Sequence, residues 1–124
     1  MSEFRFAVRF IDQNGHGIPG MRSYVCYTRE GTNEEIWTSF DQTSNENGEN
    51  QKILEFDIRA KEFRILSDSD FQNWKEGQSF VKAKGYGGWY MEMYAEQTMT
   101  ATFRFQDTDG DGGSDDCNFS QQVR

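Results

Sequence analysis

The sequence has few of the residues on which catalytic and metal centres commonly depend. Its 124 residues include one histidine, two cysteines and one proline. One histidine and two cysteines leave little material for a zinc site, which takes four such ligands when structural, or for a catalytic centre built on histidine. We therefore expect a protein that is not an enzyme.

Basic residues and long apolar runs are also scarce. Lysine and arginine number 13 against 21 aspartate and glutamate, so the net charge is −8. This balance argues against nucleic acid as a partner, because phosphate binding needs clustered cations. No apolar run approaches the roughly 20 residues that span a bilayer, so we expect no membrane insertion.

Aromatic residues are abundant and must build the core. There are 11 Phe, 5 Tyr and 3 Trp, which make 15% of the chain. The length suits one domain with one hydrophobic core. Because aliphatic residues are few, most of these rings are needed inside.

Alternation of apolar and polar residues runs through most of the chain. It is clearest in Phe4–Phe10, Leu54–Ile58 and Met99–Phe105, and this period of two is typical of strands with one face on a core. Glycine- and asparagine-rich turns separate the segments. The pattern predicts an all-β fold, an antiparallel β-sandwich of seven or eight strands, with one short helix near Phe71–Lys75. The predicted core comprises Phe6, Val8, Phe10, Val25, Leu54, Phe56, Ile58, Phe103 and Phe105.

Three motifs occur in an order that is familiar from known domains. The turn Asp12–Gly20 follows a hydrophobic strand, Asn45–Gly48 leads into an apolar strand, and Val81–Tyr86 ends in Gly-Tyr. Over residues 4–105 the chain resembles carboxypeptidase regulatory-like and Cna-B-like domains. The resemblance implies the transthyretin-like sandwich fold and a non-catalytic role in docking or stiffening another element.

An acidic segment near the C-terminus has the composition of a calcium loop. Asp107, Asp109 and Asp111 stand at alternate positions, where their carboxylates can converge on a hard cation. Gly113 would offer a carbonyl, and Asp115, with water or Asp116, would complete the oxygen ligands. The segment resembles one thrombospondin type 3 repeat, which implies Ca²⁺ as the cofactor. The alternative is a solvated acidic tail. We accordingly divide the chain into a sandwich, 1–106, and a C-terminal loop and tail, 107–124.

The two cysteines, Cys26 and Cys117, leave two alternatives open. A disulfide would tie the acidic loop to the sandwich. The other outcome is two separate thiols. The resemblance to a thrombospondin type 3 repeat implies only that Cys117 stands where that family has a disulfide-forming cysteine.

Two functional hypotheses follow. The first is a structural, adhesion or assembly module that contacts protein neighbours through edge strands and loops. The second is a carbohydrate-binding module, in which Tyr86, Trp89 and Tyr90 flank a glycine turn and stack on glycans. The chain starts at Met1 with no segment like a secretory signal. We therefore expect synthesis in the cytoplasm, and an extracellular or virion-associated location would require a non-classical route.

Overall fold

The computed structural model describes residues 1–69, 82–111, 114 and 116–124. Nine strands lie in this part of the chain, and they coincide with segments that alternate or are rich in β-branched and aromatic residues. They are β1 (Ser2–Ile11), β2 (Ser23–Thr28), β3 (Glu35–Ser39), β4 (Glu49–Phe56), β5 (Ala60–Ser69), β6 (Lys82–Gly87), β7 (Met91–Tyr94), β8 (Thr98–Gln106) and β9 (Asp116–Val123).

The strands form two sheets that pack as a sandwich, as the alternation predicts. One sheet has the order β4-β1-β8-β9, and the other has the order β3-β2-β5-β6, with β7 also paired to β5. We call them sheet A and sheet B. The expectation of a wholly antiparallel fold needs one correction, because β1 and β8 run parallel. Their pairing joins the first strand of the chain to a late one, so sheet A is mixed.

The core lies between the sheets and consists largely of phenylalanine. Phe10 stacks on Phe103 with ring centroids 4.9 Å apart, and Phe6 meets Phe63 edge-on at 5.0 Å. Most of the predicted core residues are buried. The flexible side chains of Met21, Met93 and Met99 are buried with them. Leu54, Phe56 and Ile58 are only partly buried and pack against the core from its margin. Leu54 and Phe56 belong to β4, which is an edge strand of sheet A in the described part of the chain, and Ile58 lies in the connection from β4 to β5.

The Asn47-Gly48 pair lies in a tight turn directly before β4. The Asn45 carboxamide accepts hydrogen bonds from the backbone of Asn47 and Glu49, and Gly48 has a positive φ of 76°. A Cβ atom at Gly48 would lie 1.9 Å from the carbonyl oxygen of Phe10. Only glycine fits this approach of the turn to β1.

The proposed division at residue 106 is wrong for the C-terminal strand. β9 pairs with β8 along its whole length, from Asp116 opposite Gln106 to Val123 opposite Met99. The C-terminal residues are thus an edge strand of sheet A and not a tail. The predicted helix near Phe71–Lys75 lies outside the described residues.

Candidate functional site

The connection between β8 and β9 carries the acidic segment. Its start is anchored to the first turn of the chain, because the backbone N–H of Asp107 donates to the side-chain oxygen of Gln13 at 3.0 Å. Arg104 donates to the backbone carbonyl of the same Gln13 at 2.9 Å. The acidic loop therefore has a defined position at one end of the sandwich.

Three of the predicted ligands come together in this loop. The carboxylates of Asp107, Asp109 and Asp111 each offer an oxygen atom, and these atoms lie within 4.8 Å of one another. Asp107 accepts the backbone N–H of Gly110 at 2.8 Å, and Asp109 accepts that of Asp111 at 3.1 Å. The second contact is an Asx turn, and together the two hydrogen bonds fold the backbone so that alternate side chains face the same point. Such a cluster of hard oxygen donors suits a calcium ion, for which clustered carboxylates are the preferred ligands.

Neighbouring groups of the loop influence the protonation of Asp109. The backbone N–H of Asp111 lowers the pKa of Asp109, but the side chain of Asp107 and the negative charge of Asp111 act in the opposite sense. The net result is a raised pKa for the Asp109 carboxyl. The hydrogen bond with the Asp107 side chain is the largest raising cause, followed by desolvation and the negative charge of Asp111. A bound cation would favour the ionised carboxylates.

The remaining predicted ligands are not part of this cluster. Asp116 is exposed at the start of β9, and its Oδ1 accepts the backbone N–H of Cys117 at 2.8 Å. Asp116 is not one of the residues whose carboxylates converge in the described part of the loop. Gly113 and Asp115 lie outside the described residues.

The predicted aromatic loop follows β6 and packs on β9. Trp89 is 57% exposed, and its indole meets Phe119 edge-on with centroids 5.7 Å apart. A Cβ at Gly88 would lie 2.7 Å from the Phe119 ring, so glycine permits the loop to approach β9. The Trp89 side chain is therefore both exposed and supported from beneath. Tyr86 pairs through its backbone with Ser67, and its side chain is outside the described part of the structure.

Tyr90 belongs to a polar cluster on the outer face of sheet B, centred on Glu35. The Glu35 carboxylate accepts hydrogen bonds from the Tyr90 hydroxyl, from Trp37 Nε1 at 2.6 Å and from Arg64 Nη2 at 2.8 and 2.7 Å. The Arg64 guanidinium also lies over the Tyr90 ring, 5.1 Å from its centroid. This cluster holds the end of the aromatic loop against β3 and β5.

The charges of this cluster change the acidity of its members. Desolvation opposes ionisation of Glu35, but the donors Tyr90, Arg64 and Trp37 outweigh it and leave the pKa of Glu35 lowered. Burial and the Glu35 carboxylate raise the pKa of Tyr90 to about 12. The phenol is therefore a permanent hydrogen-bond donor near neutral pH. Sequence reasoning missed Glu35 and Arg64, because alternation places both on an outer face but does not reveal that they meet.

Cys26 and Cys117 do not form a disulfide in the structure. Cys117 belongs to the core cluster between the sheets. Cys26 faces the other side of sheet B, where Arg64 is its register partner and Trp37 lies opposite on β3. The two thiols are thus on different faces of the structure, which rules out the disulfide alternative for this conformation.

Comparison with protein-family models and with curated protein sequences gives no match to the chain. Within the part of the chain that the structure describes, no helix is long and apolar enough to cross a membrane.

Proposed function

We propose that the protein is a non-catalytic assembly or adhesion module whose β8–β9 connection is stabilised by Ca²⁺. The observation that carries the proposal is the convergence of the Asp107, Asp109 and Asp111 carboxylates within 4.8 Å. A cation bound there would order the loop that leads into β9. β9 is an edge strand of sheet A among the described residues, so calcium would strengthen a strand whose outer side can pair with a protein neighbour.

The lone histidine supports a non-catalytic role. Its side chain is 79% exposed in the first turn, with Nδ1 3.6 Å from Asp12 Oδ2. A solvated imidazole at a turn has no enclosed site in which to work as a general base. The order of turns continues to favour the carboxypeptidase regulatory-like type of sandwich, and protein neighbours remain the proposed partners.

Calcium binding can be tested through thermal stability. A ligand that binds only the folded state stabilises it by RT ln(1 + [L]/Kd), about 2.7 kcal/mol at a hundredfold excess over Kd. We expect the melting temperature to rise by several degrees when EDTA is replaced by millimolar Ca²⁺, and to rise less with Mg²⁺. Identical curves in EDTA and calcium would contradict the proposal.

Matched variants separate the site from general charge effects. Asp109→Asn with Asp111→Asn should abolish the calcium response. Glu46→Gln with Asp57→Asn removes the same charge at exposed positions outside the loop and should preserve the response. Sedimentation velocity with and without calcium then tests whether the ion promotes association.

A second candidate function is carbohydrate binding, favoured by the fixed and exposed indole of Trp89. Aromatic rings in this arrangement offer an apolar surface to the faces of sugars, and the Glu35 cluster would hold the loop in place. A glycan array tests this reading. Binding that is lost in Trp89→Ala but kept in Tyr94→Ala, an aromatic residue that is also 57% exposed, would support it.

A further inference from the structure

A cavity of about 370 Å³ opens at the end of the sandwich opposite the acidic loop. Phe56, which lines it, pairs with Ser2 at the start of β1, whereas β8 runs parallel to β1 and leads to the acidic loop at the other end. Binding pockets for small molecules start at roughly 300 Å³ and are mostly apolar. The cavity is large enough for a small organic ligand.

Half-buried apolar side chains form its walls. They are contributed by β2, β3, the end of β4 and the connection from β4 to β5, and they comprise Tyr27, Ile36, Phe56 and Ile58. The rings of Tyr27 and Phe56 meet at 81° with centroids 5.1 Å apart, and both also contact the buried Phe63. Because Tyr27 and Phe56 pack on the core, their rings are held in place, and this wall of the cavity exists before a ligand binds.

One cation lies among these apolar groups. The Lys61 ammonium is 5.2 Å from the centroid of the Tyr27 ring and 5.5 Å from that of Phe56. It donates a hydrogen bond to the backbone carbonyl of Thr28 at 3.2 Å. Among the described residues no carboxylate forms an ion pair with it. An ammonium group has three donors, and a partly buried charge is most stable when it is paired.

We propose that this cavity binds a small apolar monocarboxylate, with the carboxylate on Lys61 and the aliphatic or aromatic body against Tyr27, Ile36 and Phe56. The ligand supplies the anion that the ammonium lacks and covers the exposed parts of the walls. This site is independent of the calcium loop and goes beyond the function proposed above.

The other charged groups at the cavity restrict the ligand to one negative charge. Glu30 and Asp57 border it with exposed carboxylates, and Arg29 is engaged by Glu34 at 2.9 Å. A multiply charged anion such as phosphate would be repelled by the two carboxylates and would find no apolar complement. We therefore expect inorganic phosphate not to compete.

The test compares two isosteric probes on the wild-type protein by NMR. Phenylacetate carries the proposed carboxylate, and phenylacetamide has the same shape without the charge. We expect phenylacetate at millimolar concentration to shift the amide signals around the cavity. Phenylacetamide should bind with an affinity that is lower by about tenfold or more. Equal affinity for the two probes, or no shifts at these positions, would overturn the proposal.

A pair of variants locates the charge. Lys61→Met keeps the apolar stem and should reduce phenylacetate affinity about tenfold or more, to the level of phenylacetamide. Lys52→Met removes an equal charge from β4, where the ammonium pairs with Asp41 at 3.0 Å, and should leave phenylacetate binding unchanged. A Lys61→Met protein that is folded by its NMR spectrum and binds phenylacetate as the wild type does would overturn the proposal. If Lys61→Met does not fold, the comparison of the two probes on the wild type decides alone.

Discussion

The side-chain oxygen of Gln121 accepts a hydrogen bond from the backbone N–H of Ile65 at 3.2 Å, although the two residues belong to different sheets. The Gln121 Nε2 donates to the carbonyl oxygen of Trp89 at 2.6 Å. One buried carboxamide thus joins β9 of sheet A to β5 of sheet B and to the aromatic loop. It links the edge strand next to the acidic loop with the segment that presents Trp89.

We predict that Gln121→Ala destabilises the protein by about 1–3 kcal/mol, because two backbone groups lose their partner at a position that is only 8% exposed. Gln122→Ala, at the exposed neighbouring position, should change stability by less than about 0.5 kcal/mol. Urea denaturation followed by circular dichroism measures both. Equal stability of the two variants would show that the carboxamide is not a structural link.

The Glu35 cluster predicts a specific dependence of stability on pH. The folded-state pKa of Glu35 is below the ordinary value of 4.5, so its contribution is present above that value and is lost as pH falls through the folded-state pKa. We predict that Glu35→Gln lowers stability near neutrality and reduces the loss on acidification to about pH 3.

Glu34→Gln is the matched control for this prediction, because Glu34 forms an exposed ion pair with Arg29. It should have little effect on stability at either pH. Urea denaturation at both pH values provides the comparison. A Glu35→Gln protein with the pH dependence of the wild type would contradict the prediction.

Cys26 is predicted to be unreactive in the folded protein. Burial, followed by the charge of Glu35, raises the pKa of its thiol to about 12, and the side chain is 0% exposed. The thiolate is the reactive species, so it is scarce near neutral pH. In a Cys117→Ser background, a disulfide reagent should modify Cys26 only after denaturation. Rapid modification under native conditions would refute the assignment.

Gly48→Ala is predicted to be severely destabilising, by about 2–4 kcal/mol, because the added methyl group meets the Phe10 carbonyl at 1.9 Å. Gly15→Ala is the control. Gly15 also has a positive φ, of 82°, but open space surrounds its position, so only backbone strain of about 1 kcal/mol is expected. Similar losses in the two variants, measured by urea denaturation, would argue that strain and not the contact with β1 dominates.

Local features were predictable from the sequence because they depend on neighbouring residues. Alternation indicated which side chains face inward, as in Phe4–Phe10, and the asparagine and glycine residues indicated the turns. The spacing of Asp107, Asp109 and Asp111 likewise implied that their carboxylates converge, because short Asx turns bring alternate side chains together. The calcium ion itself stays a prediction.

Relationships between distant segments were decided only by the tertiary structure. Strand alternation does not specify which strands pair, so the parallel neighbours β1 and β8 and the place of β9 in sheet A were not foreseen. The meeting of Glu35 with Arg64, the bridge from Gln121 to Ile65 and the Lys61 cavity depend on register and sheet packing. The sequence by itself determined the faces of the strands and the chemistry of the turns, because both follow from local backbone geometry. The tertiary structure determined which of those faces meet, because that choice depends on contacts between residues far apart in the chain.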